Sequence, residues 1–191
     1  MRPFTGCAIA LLLGVTALPA QDNNTLRFRP EIRPIAGVLI PLGDFRNEFK
    51  SAETFGGQLA LEVTPVFHVV GTVAWTHGHN KFVGVENRTN VWQYDAGIEL
   101  DPFGRIGEGW ELRPFLGFGM GARTNDYMAT TLRTTTCLAG YGAMGTELQR
   151  GIVAFRVEGR DYLSCQESPF NGIKKTRNDV RLNFGIALHL R

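Results

Sequence analysis

The sequence predicts an all-β fold, an eight-stranded antiparallel up-and-down barrel, and three observations carry that expectation. After residue 20, apolar side chains recur at every second position in segments of about ten residues, the period of a strand with two unlike faces. The segments number about eight, the smallest count found in transmembrane barrels. The stretches between them alternate between tight turns and longer polar connections, as in a barrel with one short-turn end and one long-loop end.

The elements follow in order along the chain. Residues 32–40 form a first, weaker segment, with Pro34 near its start, where a missing N–H is tolerated. Phe55, Leu59, Leu61 and Val63 then oppose Gln58, Ala60, Glu62 and Thr64, and Phe67, Val69, Val73 and Trp75 oppose His68, Thr72 and Thr76. Trp92, Tyr94, Ala96, Ile98 and Leu100 oppose Gln93, Asp95, Gly97 and Glu99. Leu112, Pro114, Leu116, Phe118, Met120 and Ala122 oppose Arg113, Phe115, Gly117, Gly119, Gly121 and Arg123. Residues 136–148 form a second weak segment. Val153, Phe155 and Val157 oppose Ala154, Arg156 and Glu158, and a last strand sets Val180, Leu182, Phe184, Ile186, Leu188 and Leu190 against Arg181, Asn183, Gly185, Ala187 and His189. Tight turns are expected at 64–66 and 149–151, with a longer connection at 101–111. Polar loops are expected at 41–53, 77–89, 125–135 and 164–179.

One stretch invites a different reading. In LRPFLGFGMGAR, Gly117, Gly119 and Ala122 match the GxGxxA form of a dinucleotide-binding fingerprint, whose chemistry needs a helix N-terminus after the glycines. The following RTNDYMATTLRTTT is a polar loop, and Gly117, Gly119 and Gly121 fall on one face of a strand, where they make room for neighbouring arginines. No cofactor is expected.

Residues 1–20 carry one early cation, Arg2, a short apolar run and the ending Leu18-Pro19-Ala20, which reads as a signal peptide cleaved near Ala20. The barrel domain is then 21–191. Cys7 is apolar filler within the signal, and its removal leaves Cys137 and Cys165 as an even pair in an oxidising compartment. Pairing of strands across the Arg150-Gly151 turn brings these two within one residue of facing each other, so a disulfide is expected. A net charge of +2, with cations scattered among acidic residues, gives no basis for nucleic-acid binding.

The bulky face is read as outward. The opposite face combines glycine and alanine with charges of both signs, which suits the narrow lumen of a small transmembrane barrel. That lumen receives Arg33, Arg113, Arg123, Arg156, Arg160 and Arg181 against Glu62, Asp95, Glu99, Glu147 and Glu158, a packed polar plug instead of an open channel. Trp75 and Trp92 would lie toward the loop end and Trp110 toward the turn end, as aromatic girdles do. A soluble periplasmic lipocalin-like barrel has the same period with its apolar face turned inward, and is the main rival.

Asn183, Gly185, Leu188 and Leu190 of the closing NFGIALHLR match the polar-x-Gly-x-x-apolar-x-apolar signal of last barrel strands. With the signal peptide and the amphipathic strands, residues 30–191 resemble the small bacterial outer-membrane β-barrels of the OmpA/OmpX-like class; Arg191 departs from the aromatic residue that usually ends such chains. The resemblance implies a porin-like transmembrane architecture in a Gram-negative outer membrane, contact with lipid and lipopolysaccharide, and handling by the barrel-insertion machinery. It also implies a monomer with a non-enzymatic, structural or surface-interaction role through its external loops.

Candidate chemistry is sparse. His77 and His79 in WTHGHN are candidate metal ligands in an external loop, but a metal needs three or four ligands, and Glu86 or Asp126 would have to complete the set because His68 and His189 lie near the opposite end. Some barrels of this class modify lipid A. That chemistry needs a nucleophile beside a base, and Ser51, Ser164 and Ser168 have no recognisable partner. Lys174, Lys175 and Arg177 in the last loop are candidates for lipid-headgroup phosphates.

Overall fold

In the computed structural model of the chain, residues 29–43, 45–81, 88–103, 106, 109–128, 132–167 and 174–190 are described. The proposed signal peptide and Arg191 lie outside them. The strands are β1 (Arg29–Pro41), β2 (Ala52–Thr64), β3 (Phe67–His79), β4 (Arg88–Leu100), β5 (Glu111–Tyr127), β6 (Thr135–Arg150), β7 (Val153–Glu167) and β8 (Lys174–His189). Each pairs antiparallel with its sequence neighbour, and β1 pairs with β8, so the sheet closes on itself as a barrel. Closure leaves no sheet edge unpaired. Among the described residues no helix is long and apolar enough to cross a membrane.

The two faces are sorted as the alternation predicts. Arg113, Phe115 and Arg123 are buried inside, whereas Leu116, Phe118 and Met120 between them are exposed on the outer face. Leu59 is 67% exposed, Leu138 69% and Met144 66%, while Arg33, Glu147, Arg160 and Arg181 are buried almost completely. This polarity is the reverse of a soluble barrel.

The strands run further than their apolar segments. β7 continues to Glu167 and β8 begins at Lys174, so most of the expected loop at 164–179 is strand. His77 and His79 likewise belong to β3, paired with Asn90 and Arg88 of β4, and not to an external loop. Polar strand ends have no apolar period to reveal them. Pro34 is also not at a strand start. It sits within β1, opposite Gly57 of β2, and on its other side the β1–β8 register passes from Ile32↔Leu188 directly to Ile35↔Gly185. The residue without an N–H thus coincides with a gap in the closing ladder.

The loop after β1 is less polar in practice than in prospect. It contains a single helical turn, α1 (Phe45–Glu48), that sends Phe45 and Phe49 down into the loop end of the barrel. Their rings stack with centroids 5.4 Å apart, and they pack with buried Leu39, Ala52 and Val91. Backbone bonds from Lys50 to the His79 carbonyl and from Lys81 to the Glu48 carbonyl fasten this segment to the end of β3. Gly78 faces inward beneath it, and a Cβ there would collide with the Phe49 ring.

The glycines of β5 have a related purpose. Tyr141 of β6 points across the lumen wall, and a Cβ added at Gly97 or Gly119 would strike its ring or hydroxyl. Gly121 and Gly117 leave room in the same way for Asp95 and Glu99. The space is therefore taken by a tyrosine and two carboxylates, not by arginines directly; Arg160 then stacks over the Tyr141 ring at 4.6 Å.

A disulfide joins Cys137 of β6 to Cys165 of β7, residues 28 apart in sequence with Cα atoms 5.5 Å apart. Replacing both with serine is expected to lower unfolding stability in detergent micelles by about 2–4 kcal/mol through the freed chain of the unfolded state. Phe49→Ala is expected to cost about 3 kcal/mol by emptying a buried aromatic site. Urea midpoints of the purified barrel measure both.

Candidate functional site

The inward faces bring together all eleven charges assigned to the lumen, and each of them is buried. Isolated charges in such a position would each cost several kcal/mol, so their partners determine whether the barrel is stable. In the middle layer Glu158 of β7 is the shared acceptor. It takes hydrogen bonds from Arg160 on one side, from Arg156 at 2.8 Å on the other, from Asn183 at 3.1 Å and from Gln58 across the lumen at 3.3 Å. Arg156 reaches Glu99 at 2.5 Å and stacks 3.6 Å over the Phe115 ring. Arg33 of β1 donates to the other Glu99 oxygen at 2.8 Å and to Glu31.

Toward the loop end, Arg123 pairs with Asp179 and receives support from the Gln93 carbonyl at 2.8 Å and the Ser164 hydroxyl at 3.3 Å. Tyr162 donates to Asp95 at 2.6 Å, and Arg160 lies 3.5 Å from the same carboxylate. Arg181 is different. It is fully buried, none of its guanidinium nitrogens makes a hydrogen bond among the described residues, and its closest support is the Tyr162 ring at 5.2 Å.

Toward the turn end a second cluster forms. Arg113 lies 3.2 Å from both Asp101 and Glu147 and 3.8 Å from Glu31. His189 Nε2 is 3.1 Å from Glu31 and 3.4 Å from Glu147. His68 sits between Asp101, 3.6 Å from its Nδ1, and Glu31, 3.9 Å from its Nε2. Burial pushes the Asp101 carboxyl up to about 6, with Arg113 opposing the shift and Glu99 and Glu147 adding to it. Glu31, Asp101, His68, His189 and Asp179 were absent from the sequence-based set. Position parity held the signal for all five, since Glu31 lies two residues before Arg33, Asp179 two before Arg181 and Asp101 two after Glu99, while His68 and His189 share the inward faces of Thr72 and Arg181.

The remaining candidates scatter. His77 and His79 face outward from β3; His77 Nδ1 is 2.9 Å from the Asn90 side-chain oxygen, and the two imidazoles meet edge to face. Glu86 lies outside the described residues, and Asp126 accepts from Thr134 at 3.0 Å. Among the described residues the His, Cys, Asp and Glu group that could hold a metal is instead Glu31, Glu62 and His68, at the opposite end of the barrel. Of the three headgroup candidates, Lys174 begins β8 and Lys175 is exposed, but Arg177 turns inward. It stacks 3.7 Å over Phe45 and pairs with Glu48 at 3.2 Å, which locks α1 to β8 and withdraws this cation from the surface.

The outer face carries aromatic groups near both ends. Trp75, Trp92 and Tyr94 form a run toward the loop end, with Trp75 donating to Asn90, and Trp110 lies under Arg150 at the turn end.

The plug gives a contrast that urea unfolding in micelles can read. Glu158→Gln removes the carboxylate that two guanidinium groups share and is expected to cost about 3 kcal/mol, whereas Arg181→Met, which removes a charge without a hydrogen-bonded partner, is expected to be neutral or stabilising.

No protein-family model matches the sequence, and no curated protein does. Solved structures do match in fold. Neisserial surface protein A is 11% identical with a TM-score of 0.58, over 84% of this chain and 97% of that one. The outer membrane protein OprG of Pseudomonas aeruginosa is 14% identical with a TM-score of 0.51, over 89% of this chain and all of its own. The outer membrane protein AlkL, solved in DMPC bilayers, is 10% identical with a TM-score of 0.52, over 91% of this chain and 95% of that one. Closed eight-strand topology, outward apolar side chains and these matches together give the chain the fold of the small outer-membrane β-barrels.

Proposed function

We propose that this protein is exported by the signal peptide over residues 1–20 and resides in a Gram-negative outer membrane as a monomeric, non-enzymatic barrel. One observation carries the reading: large apolar side chains cover the outside while arginines and carboxylates fill the inside. A soluble binding barrel requires the opposite arrangement, so the lipocalin-like alternative loses its basis. Strands of 13 to 17 residues exceed the roughly 9–11 that cross a bilayer when tilted. The aromatic runs near both ends fit interfacial girdles, and the printed descriptions of the similar structures, a surface protein and outer membrane proteins, agree with this location.

Its role on this reading is structural, together with surface interaction through the loop end. The Phe45 and Phe49 stopper above the ion-paired plug favours a closed lumen over a conducting pore. Lipid and lipopolysaccharide are the expected surroundings and the barrel-insertion machinery the expected partner in biogenesis. Lys175 remains a headgroup candidate at the rim. Lipid A chemistry is the second class. Ser164, the described serine of β7, receives a hydrogen bond from Arg123 inside the lumen instead of facing a histidine base, which argues against it.

Membrane fractionation with a heat-modifiability gel tests the location. Recovery in the detergent-soluble outer-membrane fraction, with a mobility shift on boiling, is expected; extraction by aqueous buffer alone overturns the reading.

A further inference from the structure

The turn-end cluster leaves buried polar atoms without hydrogen-bond partners. Glu62 is buried, yet among the described residues its carboxylate makes no hydrogen bond or ion pair; Arg29, its register partner on β1, is exposed and not bonded to it. His68 is completely buried, and neither ring nitrogen makes a hydrogen bond. Glu31 has one oxygen held by Arg33, while its Oε1 makes no hydrogen bond, although His189 and Arg113 approach it to 3.1 and 3.8 Å. A buried imidazole with two idle nitrogens beside two incompletely used carboxylates is an arrangement that polar burial opposes unless something occupies it.

We propose that Glu31, Glu62 and His68 form a zinc site at the turn end of the barrel, tying β1, β2 and β3 together. Ligand atoms of the three lie within 4.8 Å of one another. Tetrahedral zinc with nitrogen and oxygen ligands near 2.0–2.1 Å needs them about 3.4 Å apart, which small side-chain rotations supply from the 3.9 Å between His68 Nε2 and Glu31 Oε1. Two carboxylates and one imidazole leave a fourth position for water. Two further features suit a metal. Glu62 and His68 are register partners on the β2–β3 ladder, which places their side chains next to each other on the inner face. Asp101, 3.6 Å from Nδ1, stands where an outer carboxylate receives the ring N–H and leaves Nε2 as the ligand.

The test uses the purified full-length barrel in detergent micelles, titrated with zinc chloride in competition with a chromophoric chelator. One equivalent per chain is expected. Glu62→Gln and His68→Gln should each weaken binding at least tenfold, while the paired change His77→Ala and His79→Ala leaves it intact. The gel mobility shift establishes that each variant is folded. Glu62→Gln removes a carboxylate that holds nothing in the metal-free barrel, so it keeps the test decisive should His68→Gln not fold. As a second readout, zinc should raise the urea midpoint of the wild-type barrel and not that of Glu62→Gln. Absence of stoichiometric binding, binding unaffected by Glu62→Gln, or binding lost with His77 and His79 overturns the proposal.

Discussion

The pairing of guanidinium with carboxylate inside a closed sheet is the constraint on which the rest of the structure depends. An outside covered mainly in leucine, phenylalanine and methionine leaves most of the strand charge to the interior, and each buried charge costs several kcal/mol unless it is paired and hydrogen-bonded. Glu158 illustrates the solution: one carboxylate between two arginines, with Gln58 and Asn183 occupying its remaining acceptor sites. The stacking of Arg156 on Phe115 and of Arg160 on Tyr141 follows from the same need, because aromatic faces support cations where no further carboxylate fits.

From that constraint the small residues acquire their meaning. Tyr141 can carry Arg160 only if its own ring has space, and the space is the pair of glycines at 97 and 119 on the two neighbouring strands. A spacing that imitates a phosphate-binding loop is thus the imprint of a tyrosine lying flat against the barrel wall. At the loop end the same economy appears with apolar groups: Gly78 is small because Phe49 descends onto it.

Strand identity was legible in the sequence because an apolar outer face and a charged inner face impose a strict period of two, and every expected strand exists. Strand ends were not legible, since SCQE of β7 and KKTRND at the start of β8 lie beyond the apolar band and have no alternation to display. The lid of Phe45 and Phe49 was hidden for the opposite reason, two apolar residues four apart in a segment otherwise read as loop. Inward charges such as Arg33, Glu99 and Arg156 could be assigned by parity alone. Their partners could not, because pairing across the lumen depends on how the strands stagger when the sheet closes. His68 shows the limit most clearly: its alternation placed it inside and the β2–β3 hairpin sets it opposite Glu62, but only closure of the barrel brings Glu31 within reach as well.

The long sequence separations within the plug bear on how such a chain closes into a barrel. Arg33 and Glu99 are 66 residues apart, Arg156 and Glu99 are 57 apart, and Arg123 and Asp179 are 56 apart. A hairpin standing by itself would leave these long-range pairs unmade. Such pairs form only as distant strands come together, so part of the energetic return is held back until the last strand meets the first. The interior salt network thus couples distant strands: the seam between Pro34 and Gly185, the ladder with the fewest paired residues among those described, closes as β8 arrives, the strand that also brings Asp179 to Arg123.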